Sequence, residues 1–130
     1  MKQPRWISRR ALLYLHSASL ATFGGSTGIR DEGLLDSALA RPQNRFLYAP
    51  ESDLFELAAS YGFGIAKNHP FVDGNKRAAF HSVGLFLSIN GYELIADQLD
   101  AIQTILNLAA SELSEEEFAV WIRNHAKSTG

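Results

Sequence analysis

Apolar residues recur with helical spacing on both sides of one proline, and this feature constrains the fold more than any other. Leu54, Leu57, Ala58, Tyr61 and Ile65 lie along one face of a helix that Ser52 or Asp53 can cap. That helix stops before Pro70, because proline disfavours helical backbone at the residue preceding it. A second helix runs from about Asn75 to Asn90, with Ala79, Val83, Phe86 and Leu87 as its apolar stripe. Gly91 stands where a left-handed C-terminal residue is expected. The segment joining these two central helices is HPFVDGNKR, His69 to Arg77, whose last residues open the second helix.

The remaining signals are helical as well, and strand-like alternation is weak. Ile7, Ala11, Tyr14, Leu15 and Ala18 have the spacing of a first helix. Gly24 to Gly28 is a turn-forming cluster. A short second helix is expected from about Asp31 to Ala40, ended by Arg41-Pro42. Pro42 to Pro50, with Phe46, Leu47 and Tyr48 inside, reads as an irregular or extended flap before the third helix. Asp97 or Asp100 opens a fifth helix through about Ala110. Ser114 with Glu117 forms a capping box for a sixth, which carries Phe118, Trp121 and Ile122. The expected fold is all-α, a bundle of about six helices with a short flap before the third, and 130 residues suggest a single domain, 1–130.

Composition narrows the function classes. A hydrophobic content of 46% is that of a globular chain. The absence of cysteine excludes disulfides and thiolate metal sites and is compatible with a reducing cytoplasm, the expected location. A net charge of -2 without a basic stripe argues against sequence-independent nucleic-acid binding, and no apolar run is long enough to span a bilayer. Ser8-Arg9-Arg10 before Ala11-Leu12-Leu13 has the look of a twin-arginine signal, but His16 interrupts the apolar region and no cleavage site follows, so a helix with a basic edge is expected.

The connecting segment carries the chemistry. A loop entering a helix N-terminus is an anion site, because backbone N–H groups there lack intrahelical partners and the dipole adds positive charge. Gly74 lets the backbone approach a phosphate closely. Asn75, Lys76 and Arg77 sit in the first turn, where cations oppose the dipole unless an anion arrives. Asp73 places a carboxylate beside this phosphate-attracting group. Magnesium reconciles the two, since it takes one or two carboxylates plus phosphate oxygens. His69 is the natural base for a hydroxyl near neutral pH. Phe71 is expected in the core, and Pro70 stiffens the loop.

Other signals are read as structural. Gly62-Phe63-Gly64 lacks the third glycine of a dinucleotide fingerprint and indicates close helix packing. Lys76 belongs to no Walker A motif. His16, His81 and His125 match no metal-ligand spacing, although His81 shares the motif helix and has a candidate secondary role near the site. Glu115, Glu116 and Glu117 form an acidic first helical turn and need no further role.

HPFVDGNKR resembles the Fic motif, most closely in its death-on-curing (Doc) branch. FGGSTGIRDEGLLDSALARP, residues 23–42, and LFLSINGYEL, residues 85–94, extend the likeness over nearly the whole chain. The resemblance implies a Fic-type helical bundle and a transferase moving a phosphate-containing group from a nucleotide to a protein hydroxyl. His69 matches the catalytic base, Asp73 the magnesium ligand, and Gly74, Asn75, Lys76 and Arg77 the phosphate-binding positions. Lys76 stands where adenylylating members have a second glycine, and Phe80 where they have a second arginine. Both are Doc-like and imply a kinase with ATP as co-substrate and Mg2+ as cofactor. The implied substrate is a threonine of a translation factor, elongation factor Tu. The implied partner is a small antitoxin protein, so the chain would be the toxin of a toxin–antitoxin system that blocks translation. A Fic-type adenylyltransferase, a silent protein-binding regulator and a ribonuclease toxin using His69 and Lys76 are the competing readings.

Overall fold

The computed structural model describes residues 3–130. Its elements follow in the order α1 (Arg9–Phe23), α2 (Glu32–Tyr48), α3 (Leu54–Asn68), α4 (Asn75–Ile89), β1 (Tyr92–Leu94), α5 (Gln98–Ala109), α6 (Glu115–His125) and β2 (Ala126–Ser128). Over the described residues the protein is thus a six-helix, all-α bundle with one small antiparallel pair, in which Tyr92 faces Ser128 and Leu94 faces Ala126. No helix among the described residues is long and apolar enough to cross a membrane.

α3 is the central element, and its composition explains why. An unbroken run from Leu57 to Gly62, with Gly64, Ile65 and Ala66, is buried, which is the signature of a helix surrounded on all sides. α4, α2 and α6 pack around it. Gly62 makes this close approach feasible: a Cβ there would lie 2.8 Å from the Phe118 ring of α6 and 3.0 Å from Val83 of α4. The glycine-rich stretch therefore serves packing, as expected. Tyr61 is the largest polar side chain in the core. Burial pushes its phenol up to about 12, and its oxygen accepts the Ile7 N–H at 3.0 Å, tying the N-terminal segment to α3.

The expected caps are present. Asp53 and Ser114 each form a complete capping box, with Glu56 and Glu117 respectively, and Asp97 caps α5. The α4 stripe of Ala79, Val83, Phe86 and Leu87 is buried as read from the sequence, whereas α3 is buried well beyond the one face read for it and Leu54 is only half-buried.

Three expectations are corrected. The second helix does not end at Ala40 but continues through a buried Pro42 to Tyr48, so the flap from Pro42 to Pro50 shrinks to a turn at residues 49–53. Proline removes one helical N–H, yet contacts across the bundle hold the helix in register. Arg41 and Arg45 reach Glu115 of α6, Arg45 also reaches Glu56 of α3 at 2.9 Å, and Phe46 packs edge-on against Trp6. Glu115, read as having no role beyond its helical turn, is the buried centre of this network. Finally, the inward face of α1 consists of Leu12, His16, Ser19 and Leu20, whereas Tyr14 and Ala18 from the expected stripe are exposed. The inward face is partly polar because it meets the loop between α3 and α4.

Candidate active site

That loop is built by a handover between two helices. α3 is capped at its C-terminus by His69, which adopts a left-handed conformation (φ 50, ψ 57) and turns the chain out of the helix. The His69 side chain is exposed, while its main-chain carbonyl accepts from Arg30 Nε at 2.7 Å. The same guanidinium reaches the Asn68 carbonyl at 2.8 Å. Pro70 and Phe71 then dive inward, and Phe71 is fully buried, as expected. Asn75 closes the loop from the far side. Its side-chain oxygen accepts the Phe71 N–H at 2.9 Å and its amide donates to the Phe71 carbonyl at 3.0 Å. The Asn75 side chain is therefore committed to loop closure, and what it offers an anion is its backbone N–H.

A second segment, from Gly24 to Asp31, lies alongside. Ile29 pairs with Phe71 as an isolated antiparallel bridge. The Val72 N–H donates to the Gly28 carbonyl at 3.1 Å, and the Arg30 N–H to the Pro70 carbonyl at 2.7 Å. Asp73 is held between this segment and its own loop. One carboxylate oxygen accepts the Ser26 N–H at 3.1 Å and the other accepts the Gly74 N–H at 2.8 Å. These two main-chain bonds, Ser26 first, hold the carboxyl below its ordinary range, and Arg77 adds to the effect. Gly25 is required for the approach, since a Cβ there would lie 2.7 Å from the Asp73 carboxylate. Gly74 is in the left-handed region at φ 76, which L side chains rarely adopt.

α4 begins immediately after Gly74 with no side-chain cap, so its first-turn N–H groups face outward unpaired by any side chain. Lys76 is exposed and forms no ion pair among the described residues. Arg77 donates to the Gly24 carbonyl at 3.0 Å and lies over the Phe23 ring at 5.5 Å, with no carboxylate bridged to it. One turn on, Phe80 and His81 join Phe23, Lys76 and Arg77 in a groove of about 550 Å³ whose far wall is α5. That volume is in the range of small-molecule sites. Burial, and then the Arg77 charge, lower the His81 imidazole below its ordinary value.

The structure thus gathers His69, Asp73, Gly74, Asn75, Lys76 and Arg77 around one helix start. The donor set also bears on the metal. No group of three or more His, Asp or Glu side chains with metal-site geometry occurs among the described residues. A cation at Asp73 would have one protein carboxylate and would need phosphate oxygens and water for the rest. That fits magnesium, and it does not fit zinc or a calcium cage. Arg30, Ser26, Gly25 and His16 (buried on α1 with its ring on Phe71) were not singled out from the sequence as parts of the site. Gly25 and Ser26 lie in the turn cluster after α1 and act through backbone space and a main-chain N–H, and the Arg30 guanidinium meets main-chain carbonyls, so none of the three leaves a side-chain pairing to read.

Comparison with known proteins gives a consistent answer. The profile of the Fic/DOC family matches residues 6–87. The chain is 35% identical over 119 residues to "Protein kinase doc" of Escherichia phage P1, covering 92% of this chain and 94% of that protein. It is 41% identical over 98 residues to "Toxin Doc" of Mycolicibacterium smegmatis, covering 73% of this chain and 75% of that one. The profile covers more than half of the chain and includes the whole of HPFVDGNKR. The chain belongs to the Fic/DOC family, in its Doc branch.

Proposed function

We propose that the protein is a toxin of a toxin–antitoxin system and acts as a protein kinase, moving the γ-phosphoryl group of ATP to a hydroxyl of a protein substrate. The observation that carries this reading is the start of α4. Two cations without carboxylate partners stand there, on a helix N-terminus without a side-chain cap, directly after a carboxylate of lowered pKa and below an exposed histidine. The names of the two relatives, a protein kinase and a toxin, support it.

In the proposed reaction the His69 imidazole takes the proton of the substrate hydroxyl. The hydroxyl oxygen bonds to the γ-phosphorus while the bond from that phosphorus to the β,γ-bridging oxygen breaks, and ADP leaves. Lys76, Arg77 and the first-turn N–H groups of α4 face the phosphate charge that develops. Asp73 is the residue that would hold magnesium, and the ion, when bound, neutralises phosphate charge. Lys76 and Phe80 favour this reaction over adenylyl transfer. Lys76 fills space that a glycine would leave to deeply seated phosphates. Phe80 puts a ring, instead of a guanidinium, on the next turn facing the groove. The substrate inferred from the family resemblance is a threonine of elongation factor Tu, and a small antitoxin is the inferred partner.

Expression in a bacterial cell tests the proposal. The chain alone should arrest growth, a cognate antitoxin should restore it, and a cellular protein should gain the mass of a phosphoryl group. His69→Asn should abolish both effects, because asparagine tolerates the left-handed backbone but supplies no base. Arrest by the well-expressed His69→Asn variant would remove the base from the mechanism.

A further inference from the structure

We infer that His16 is the positioning residue for Asp73: from α1, it fixes the Asp73 peptide and thereby the direction of the carboxylate. The inference rests on the proposed reading of Asp73 as the magnesium-holding residue, and it explains a group that the reaction leaves unused. His16 is 5% exposed, on the inward face of α1, 57 residues away from Asp73. A histidine so deeply placed needs a partner for its polar atoms. Its Nε2 lies 2.8 Å from the Asp73 main-chain oxygen. A carbonyl can only accept, so Nε2 carries the hydrogen and donates it. The ring face is occupied as well. His16 stacks on Phe71 with centroids 3.7 Å apart and planes 11° from parallel. One side chain therefore contacts both the plug that anchors the loop and the peptide that carries the carboxylate.

The geometry gives this contact leverage. The Asp73 carboxylate points to two N–H groups, one on Ser26 across the site and one on its neighbour Gly74. The Asp73 carbonyl and the Gly74 N–H belong to one peptide, so the bond from His16 orients the donor of the second of these bonds directly. Asn75 fixes the Phe71 peptide two residues earlier, and Gly74 is free to rotate by virtue of lacking a Cβ. The bond to His16 is the contact on the Asp73 main chain itself that stops this rotation. A partner that orients a ligand to a metal typically changes metal affinity by roughly ten- to a hundred-fold when removed.

The test uses the full chain and two readouts. The amide resonances of Ser26 and Gly74 report the two carboxylate bonds with no metal or nucleotide added. Binding of a non-hydrolysable ATP analogue, titrated with magnesium, reports the metal. His16→Phe keeps the stack and removes the donor, His16→Gln restores a donor at similar reach, and His16→Met is a second donor-free variant in case His16→Phe does not fold. The donor-free variants should shift both amides upfield and require about tenfold more magnesium, and His16→Gln should recover both. Wild-type amides and magnesium dependence in a folded donor-free variant would overturn the inference, as would a His16→Gln protein as defective as His16→Phe. The reading of Asp73 as metal-holding fails separately: Asp73→Asn would then leave the magnesium dependence unchanged, while the amide shifts of the His16 variants would still uphold the positioning role.

Discussion

The two ends of α3 treat charge in opposite ways. From its N-terminal end along the flank that meets α2 and α6, each arginine has an acid. Arg45 bridges Glu56 and Glu115, Arg41 shares Glu115, and Arg123 meets Asp53 at 2.6 Å. At the C-terminal end, beyond His69, Lys76 has no carboxylate and Arg77 has a main-chain carbonyl and an aromatic ring. The single acid there, Asp73, is bonded to N–H groups. The paired cluster staples α2, α3 and α6 together. The unpaired one adds nothing comparable to the fold, which is the condition expected where a ligand supplies the missing negative charge.

Substitutions at the two ends should therefore separate function from stability. The largest effect belongs to His69→Asn, which should reduce phosphoryl transfer by roughly a hundred- to ten-thousand-fold. Its unfolding free energy should stay within about 0.5 kcal/mol of wild type, because the imidazole is exposed and the bonded group is the main-chain carbonyl. Transfer assays beside urea denaturation check both halves. Glu115→Ala should show the converse. It strands two arginines at a buried site and should lower stability by about 1–3 kcal/mol, less than for a fully buried pair because Arg41 and Arg45 remain partly in water. Transfer per folded molecule should be unchanged.

Lys76→Ala sharpens the contrast. Removing a cation from the first turn of a helix should raise stability by about 0.3–1 kcal/mol, and transfer should fall. A destabilised Lys76→Ala protein would mean that the lysine has a structural partner after all.

The smallest effect concerns pH. His81 has a lowered value in the folded protein, through burial first and the Arg77 charge second. The unfolded chain therefore binds this proton more readily. Stability from this group is complete above about pH 6.5, its ordinary value, and is lost as pH falls from there through the folded value. Melting temperatures from pH 7.5 to 5 should fall less steeply for His81→Gln than for wild type.

What could be read from the sequence follows the range of the interactions that decide each element. The α4 stripe, the caps at Asp53, Asp97 and Ser114, and the left-handed Gly91 depend on neighbours within a few residues and are legible, while the burial of α3 on all sides depends on the helices around it. The composition of HPFVDGNKR marks a candidate site because its charges conflict with a helix start. Pro42 misled, because the contacts that carry α2 past it come from Glu115 and Trp6. The β1–β2 pair joins three-residue strands far apart in sequence, too short for alternation to show. Within the segment Gly24–Asp31, Gly24 to Gly28 reads only as a turn and Asp31 as a helix start. Apart from the Arg30 guanidinium on two carbonyls, the segment offers main-chain groups to Asp73, Arg77 and the loop, and such groups carry no side-chain signature. His16 interrupts an apolar pattern and, with His81 and His125, matches no metal-ligand spacing, whereas its partner lies across the bundle.

The central claim is that the unpaired cations at the start of α4 present the terminal phosphate of ATP to a hydroxyl activated by His69. Parallel transfer reactions with ATP labelled at either the α- or the γ-phosphate test this directly, with the purified chain, magnesium and a bacterial extract or purified elongation factor Tu. The account predicts that the γ-label appears on protein and the α-label does not. Transfer of the α-label, with the mass gain of an adenylyl group, would contradict it.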